Sequence, residues 1–223
     1  MLNELIIVLA IILLGGLLYF EKTGKQDGIL PTKTILSCLF IFTALVQAHP
    51  IPSYYYTLLC GLIFCLAGDV FLALPQDSAF LMGLVSFLLG HVFYVIGFFY
   101  VADLGQWTWI GCLVGITVSV SVFLWLRPHL GSMLIPVMAY IIVITVMVIG
   151  AWTVLGDAGL SYAGRLLVFT GAVGFYLSDL FVARDRFLKS EFVNRLIGLP
   201  MYYCGQFLLA FSVGILKQIN IGA

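Results

Sequence analysis

Apolar runs about twenty residues long follow one another from residue 2 to residue 217, broken only by short stretches of proline, glycine or charge. A hydrocarbon core about 30 Å thick takes about 20 residues of α-helix to cross. In lipid, every backbone polar group must be satisfied within the segment, so such runs become helices. The chain is therefore read as an all-α polytopic membrane protein. Only 9% of its 223 residues are charged, against about a quarter in soluble domains.

The breaks delimit eight spans, at about 2–20, 33–49, 53–74, 80–101, 107–126, 132–155, 161–183 and 198–217. The connections are short, so neighbouring spans are expected to form antiparallel hairpins, and 1–223 is read as one transmembrane domain. The first span lacks a positive leading region and a small-residue cleavage site, and is read as a retained helix. Cys38, Cys60, Cys65, Cys112 and Cys204 lie in apolar runs with no C-x-x-C spacing and are read as packing residues without disulfides. No basic tract and no Cys/His zinc spacing points to nucleic acid or a metal.

Lysine and arginine in the connections orient the chain. Lys22, Lys25, Lys33, Arg127, Arg184, Arg186, Lys189 and Arg195 gather at one end, against Arg165 and Lys217 at the other. The expectation is a basic cytoplasmic end with both termini outside, in a bacterial inner membrane.

Against this background two aspartates stand out, in LAGDVFLAL (66–74) and YLSDLFVAR (176–184). A carboxylate at the centre of a span costs about 2.5–3.5 kcal/mol even on the insertion scale, which makes it a functional candidate. Asp69 and Asp179 fall about five and four residues before the ends of the third and seventh spans. Both should therefore sit about 6–8 Å inside the same boundary. GDVFLA (68–73) also resembles SDLFVA (178–183), and the following spans carry GHVF (90–93) and GQFL (205–208). That fits a parallel repeat of four helices plus four, with halves 1–104 and 105–223.

The same ends of other spans offer companions: Lys33, Pro136, Tyr140, Tyr202, Tyr203 and Gln206, with His91 and Tyr94 nearer mid-membrane. Turned inward, they would converge on one pocket, since facing lipid would leave them unsatisfied. Each also has a plain structural reading. An intramembrane aspartate can partner a lysine, His91 can bridge two helices, and tyrosines can belong to an interfacial belt. Gly111 and Gly115 form a GxxxG packing motif that also serves dimerisation. Arg184, Arg186 and Lys189 are topology signals, and Arg184 is also a candidate for an anionic head group.

A Gly-Asp closing one helix, a Gly-His-x-x-Tyr helix after it, a Ser-Asp followed by a basic stretch and Phe187, then Tyr-x-x-Gln resembles the YhhN family, the lysoplasmalogenases. The resemblance runs over nearly the whole chain. It implies hydrolysis of the vinyl-ether bond of lysoplasmalogens, giving a fatty aldehyde and glycerophosphocholine or glycerophosphoethanolamine. It also implies a lysophospholipid substrate drawn from the bilayer, no cofactor, and Asp69 and Asp179 as the catalytic pair. Lys33, His91, Tyr94, Tyr203 and Gln206 fall where the family carries polar residues. One departure is Thr34 after Lys33, where Lys-Pro is expected, with the proline displaced to Pro31.

Vinyl ethers resist base and cleave in acid, because the hard step is proton transfer to carbon. An enzyme needs a carboxylic acid to protonate carbon and an anion to face the oxocarbenium ion and activate water. Two close aspartates can supply both, as paired carboxylates do in glycosidases. Asp179, followed by more basic residues, is expected to be the anion and Asp69 the acid. Two other readings stand beside this one. A proton-coupled transporter would use the same carboxylates as carriers. An intramembrane aspartyl protease would need Gly-x-Gly-Asp, where this chain has Leu66 in LAGD.

Overall fold

The computed structural model describes residues 1–219, apart from the side chain of Asp77. Within them eight α-helices follow in order: α1 (Leu2–Thr23), α2 (Gln26–Val46), α3 (Pro52–Leu72), α4 (Asp77–Val101), α5 (Gln106–Leu126), α6 (Leu134–Gly156), α7 (Tyr162–Phe187) and α8 (Phe192–Ile215). All eight contain a stretch long and apolar enough to cross a membrane. Single 3₁₀ turns at Arg127–His129 and Gly131–Met133 join α5 to α6. There is no strand among the described residues, only an isolated bridge between Leu160 and Gln218.

Three helix ends depart from the expected spans, each for a local reason. α2 starts at Gln26 rather than 33, because Pro31 lies inside the helix. A proline there removes one backbone donor but leaves the rest of the ladder in place. Lys33 consequently sits about 10 Å into the helix, at 1.5 Å per residue, and is not a loop charge. The basic bias rests on the other seven residues. α8 likewise begins at Phe192 and carries Pro200 within it. α7 continues to Phe187, since Arg184–Phe187 hold no helix breaker. Asp69 is thus three residues from its helix end and Asp179 eight, about 5 and 12 Å. The equal spacing from helix ends is not kept, because α7 projects further than α3.

Packing is closest within two hairpins, α3–α4 and α7–α8. In the second, a Cβ on Gly205 would lie 2.7 Å from the Gly171 carbonyl oxygen. The two backbones meet there at a distance only glycine allows. In the first, a Cβ on Gly90 would lie 3.0 Å from the Gly61 carbonyl oxygen. Further pairs join α4 to α6 and α2 to α8, closing the bundle, while α1 and α5 are its least buried members. The GxxxG of α5 is used inside the chain: Gly111 lies under the Trp152 side chain and Gly115 against Ile149. The core between the hairpins holds Phe40, Leu62, Tyr94, Phe98, Met147, Phe175 and Leu209, all fully buried.

Candidate active site

At the basic end the helices splay around a cavity of about 540 Å³. That is within the usual range for small-molecule sites, about 300–1,000 Å³. Its inner wall is apolar, with Leu84, Phe87, Val122, Val137 and Ile144, and both Asp69 and Asp179 open onto it, with Lys33, Tyr140 and Tyr202.

Asp69 is buried and held from three sides. One carboxylate oxygen lies 3.5 Å from Lys33 Nζ, contributed by α2. The other accepts hydrogen bonds from Ser37 Oγ and Tyr202 OH, each at 2.6 Å. Lys33 is buried as well, so the pair has left water together. Such a pair is sustained only where further hydrogen bonds satisfy the remaining lone pairs. Asp179 is half-buried and accepts one hydrogen bond, from Tyr140 OH on α6 at 2.5 Å. Among the described residues no cation pairs with it.

Behind Asp69 runs a chain of polar groups. Tyr202 OH, which donates to Asp69, accepts from Gln206 Nε2 at 3.2 Å. Gln206 Oε1 in turn accepts from Tyr94 OH at 2.8 Å. Tyr203 OH lies 3.5 Å from both Ser37 Oγ and the Lys33 carbonyl oxygen. His91 is fully buried among the rings of Phe175, Tyr140 and Tyr94, and among the described residues neither of its ring nitrogens has a partner at hydrogen-bond geometry.

Of the residues singled out from sequence, Asp69, Asp179, Lys33, Tyr140 and Tyr202 line the cavity, with Arg186 and Arg195 of the basic end. His91, Tyr94, Tyr203 and Gln206 stand outside its lining, in the layer that backs it. Arg184 does not line it either: the guanidinium hydrogen-bonds Asn194 Oδ1 and lies 2.8 Å from Glu191 Oε2. Glu191 is outside the spans, and Lys189 and Arg184 hold its carboxyl below the usual range. Arg184 and Lys189 are therefore tied to an acidic neighbour of their own. Glu191 takes Arg184 and Lys189, while Arg186 lies over the Phe80 ring. Neither Arg184 nor Lys189 pairs with Asp179, the aspartate expected to be the anion, while Lys33 pairs with Asp69.

Sequence reasoning passed over Ser37, one turn beyond Lys33, and the rim residues Glu21 and Asp185, and used Arg195 only to orient the chain. Tyr202, named only as one of a pair, turns out to be the tyrosine on Asp69. The spacing of Lys33, Ser37 and Tyr202 on their helices was available, but not the rotation of α2 and α8.

The YhhN family model matches residues 29–213. Among curated proteins, the chain is 28% identical to bovine "Lysoplasmalogenase TMEM86A" over 186 residues, 78% of this chain and 73% of the relative. It is 30% identical to mouse "Lysoplasmalogenase TMEM86B" over 213 residues, 92% and 85% of the two chains. It is 28% identical to the "Lysoplasmalogenase" of Mycobacterium bovis over 176 residues, 75% and 62% of the two chains. No solved structure matches.

Proposed function

The chain belongs to the YhhN family, and on that premise we propose that it is a lysoplasmalogenase-like hydrolase acting on the vinyl-ether bond of a lysophospholipid. The observation that carries this reading is one cavity holding two aspartates with opposite surroundings. Asp69 faces a cation and two hydroxyl donors, while Asp179 has one hydroxyl donor.

That asymmetry supports a division of labour. Asp179 carries the proton and delivers it to the alkenyl carbon β to the ether oxygen. The vinyl π-bond supplies the electron pair, leaving an oxocarbenium ion at the adjacent carbon. Asp69, as carboxylate, faces this cation and takes a proton from the attacking water. The resulting hemiacetal breaks its C–O bond to the glycerol as Asp69 gives its proton to the departing oxygen and Asp179 takes the hydroxyl proton. This releases a fatty aldehyde and a glycerophosphodiester and restores both carboxyl groups. The net change is addition of one water, with no oxidant or reductant. The apolar inner wall suits the alkenyl tail, and the basic end, facing the cytoplasm by the positive-inside rule, receives the head group. A bacterial inner membrane with both termini outside fits the same rule.

We read the halves 1–104 and 105–223 as copies of one four-helix unit. The packed pairs α1–α2, α2–α3, α3–α4 and α4–α6 each have a counterpart four helices on, in α5–α6, α6–α7, α7–α8 and α8–α2.

The test is aldehyde release from a lysoplasmalogen by the purified protein in detergent, without any ion gradient. Release by the parent and by neither Asp69→Asn nor Asp179→Asn is the expected result. A folded parent that releases none, with choline or ethanolamine head groups, removes the reading and favours gradient-driven transport.

A further inference from the structure

Glu21 is a charged residue near the end of the most lipid-exposed helix, yet its side chain is only 12% exposed and lines the cavity. It precedes residues 29–213, so it lies outside the segment that the family model describes. One of its oxygens lies 3.2 Å from Arg195 Nε on α8. Among the described residues its second oxygen meets no partner. The neighbouring carboxylate is in a different position. Asp185 accepts from Arg195 Nη2 at 2.9 Å, Asn194 Nδ2 at 3.0 Å, and Ser190 Oγ and the Glu191 amide at 3.2 Å each. Its acceptor capacity is taken up in holding the α7–α8 turn together. Arg195 uses Nε and Nη2 in these two bridges, which leaves donors on Nη1, and it also lines the cavity.

The rim therefore presents one uncommitted carboxylate oxygen beside one uncommitted guanidinium edge. Those two groups match a zwitterion: a phosphodiester takes the guanidinium, and a cation on the same head group takes the carboxylate. We propose that Glu21 and Arg195 form a head-group subsite that selects a phosphodiester bearing a primary ammonium. This inference rests on the lysophospholipid reading above. A primary ammonium offers three N–H donors to Glu21, whereas a trimethylammonium offers none and is recognised instead by aromatic faces.

The test measures binding rather than turnover. Single-chain 1-acyl phospholipids carry no vinyl ether, and their affinities in detergent can be compared with ethanolamine, N-methyl, N,N-dimethyl and choline head groups. The expected result is a stepwise fall of about tenfold from ethanolamine to choline, as N–H donors are removed. Glu21→Gln should flatten the series and Glu21→Asp should restore part of it. A flat series on the parent, or a series unchanged in a folded Glu21→Gln, overturns the proposal. If Glu21→Gln does not fold, the methyl series on the parent decides alone. The two readings fail separately: absence of aldehyde release removes the hydrolase, and a flat series with an active parent removes only the subsite.

Discussion

Asp69 and Asp179 occupy similar stretches of sequence on helices four apart in the chain, and both open onto one cavity. Yet α2 and α8 surround the first with Lys33, Ser37 and Tyr202, while α6 gives the second only Tyr140. Two similar hexapeptides, identical at three of six positions, thus acquire different chemistry from the helices packed beside them. A carboxylate with a cation and two donors is held as an anion site. One that is partly exposed, with a single hydroxyl donor, has fewer groups that oppose carrying a proton.

The most direct way to break this comparison is to remove each carboxyl in turn. A general acid or base contributes about 10²–10⁴-fold, so Asp179→Asn and Asp69→Asn are each expected to lower aldehyde release by about a thousandfold. A folded Asp69→Asn that keeps a tenth of parental activity would take Asp69 out of proton handling and leave Asp179 alone.

The next largest effect should fall on stability and on one aspartate only. Lys33→Met strands Asp69 as a buried carboxylate without its cation, and breaking a buried pair costs about 3–5 kcal/mol. Adding Asp69→Asn to Lys33→Met should recover part of that loss, because the stranded charge is gone. Unfolding in graded denaturing detergent would measure both. Equal stability of the single and double variants would mean that the pair is not coupled.

The eight spans and the two aspartates were legible because hydropathy over a twenty-residue window survives errors of a turn at each end. What was not legible is rotation. The spans are apolar on nearly every side, so periodicity does not say which face turns inward. That is why Tyr203 stood in for Tyr202, and why His91, Tyr94 and Gln206 were expected to touch substrate when they line up behind the cavity wall. Lys33 was misread as a loop charge because Pro31 resembles a helix boundary, although it lies within α2. Arg184 stands outside the cavity lining, turned to Glu191 and Asn194 on the far side of a turn, a pairing that residue spacing alone does not reveal.

The two close-packed hairpins give a smaller contrast. At Gly205 an added Cβ meets backbone on α7, the Gly171 carbonyl oxygen at 2.7 Å and the Phe175 amide nitrogen at 3.1 Å. At Gly90 its nearest neighbour is the Cys65 sulfur at 2.9 Å, a side chain that can shift, with the Gly61 carbonyl oxygen at 3.0 Å. Overpacking costs about 1–3 kcal/mol, so Gly205→Ala should reach the upper end and Gly90→Ala the lower. The reverse order would show that α3–α4 is the less yielding hairpin.

The finest test compares the two tyrosines. Tyr140→Phe removes the one donor to Asp179, and Tyr202→Phe removes one of the three groups around Asp69. Once Asp179 has given up its proton it becomes a carboxylate, so the Tyr140 hydrogen bond strengthens as the reaction proceeds. Hydrogen bonds to charged groups are worth about 1.5–3 kcal/mol, and about 1.4 kcal/mol is tenfold in rate. Tyr140→Phe is accordingly expected to lower kcat about tenfold with little change in KM. Tyr202→Phe leaves Lys33 and Ser37 in place, and its loss should be smaller, about threefold. A larger loss at Tyr202 than at Tyr140 would exchange the roles of the two aspartates while keeping the pair.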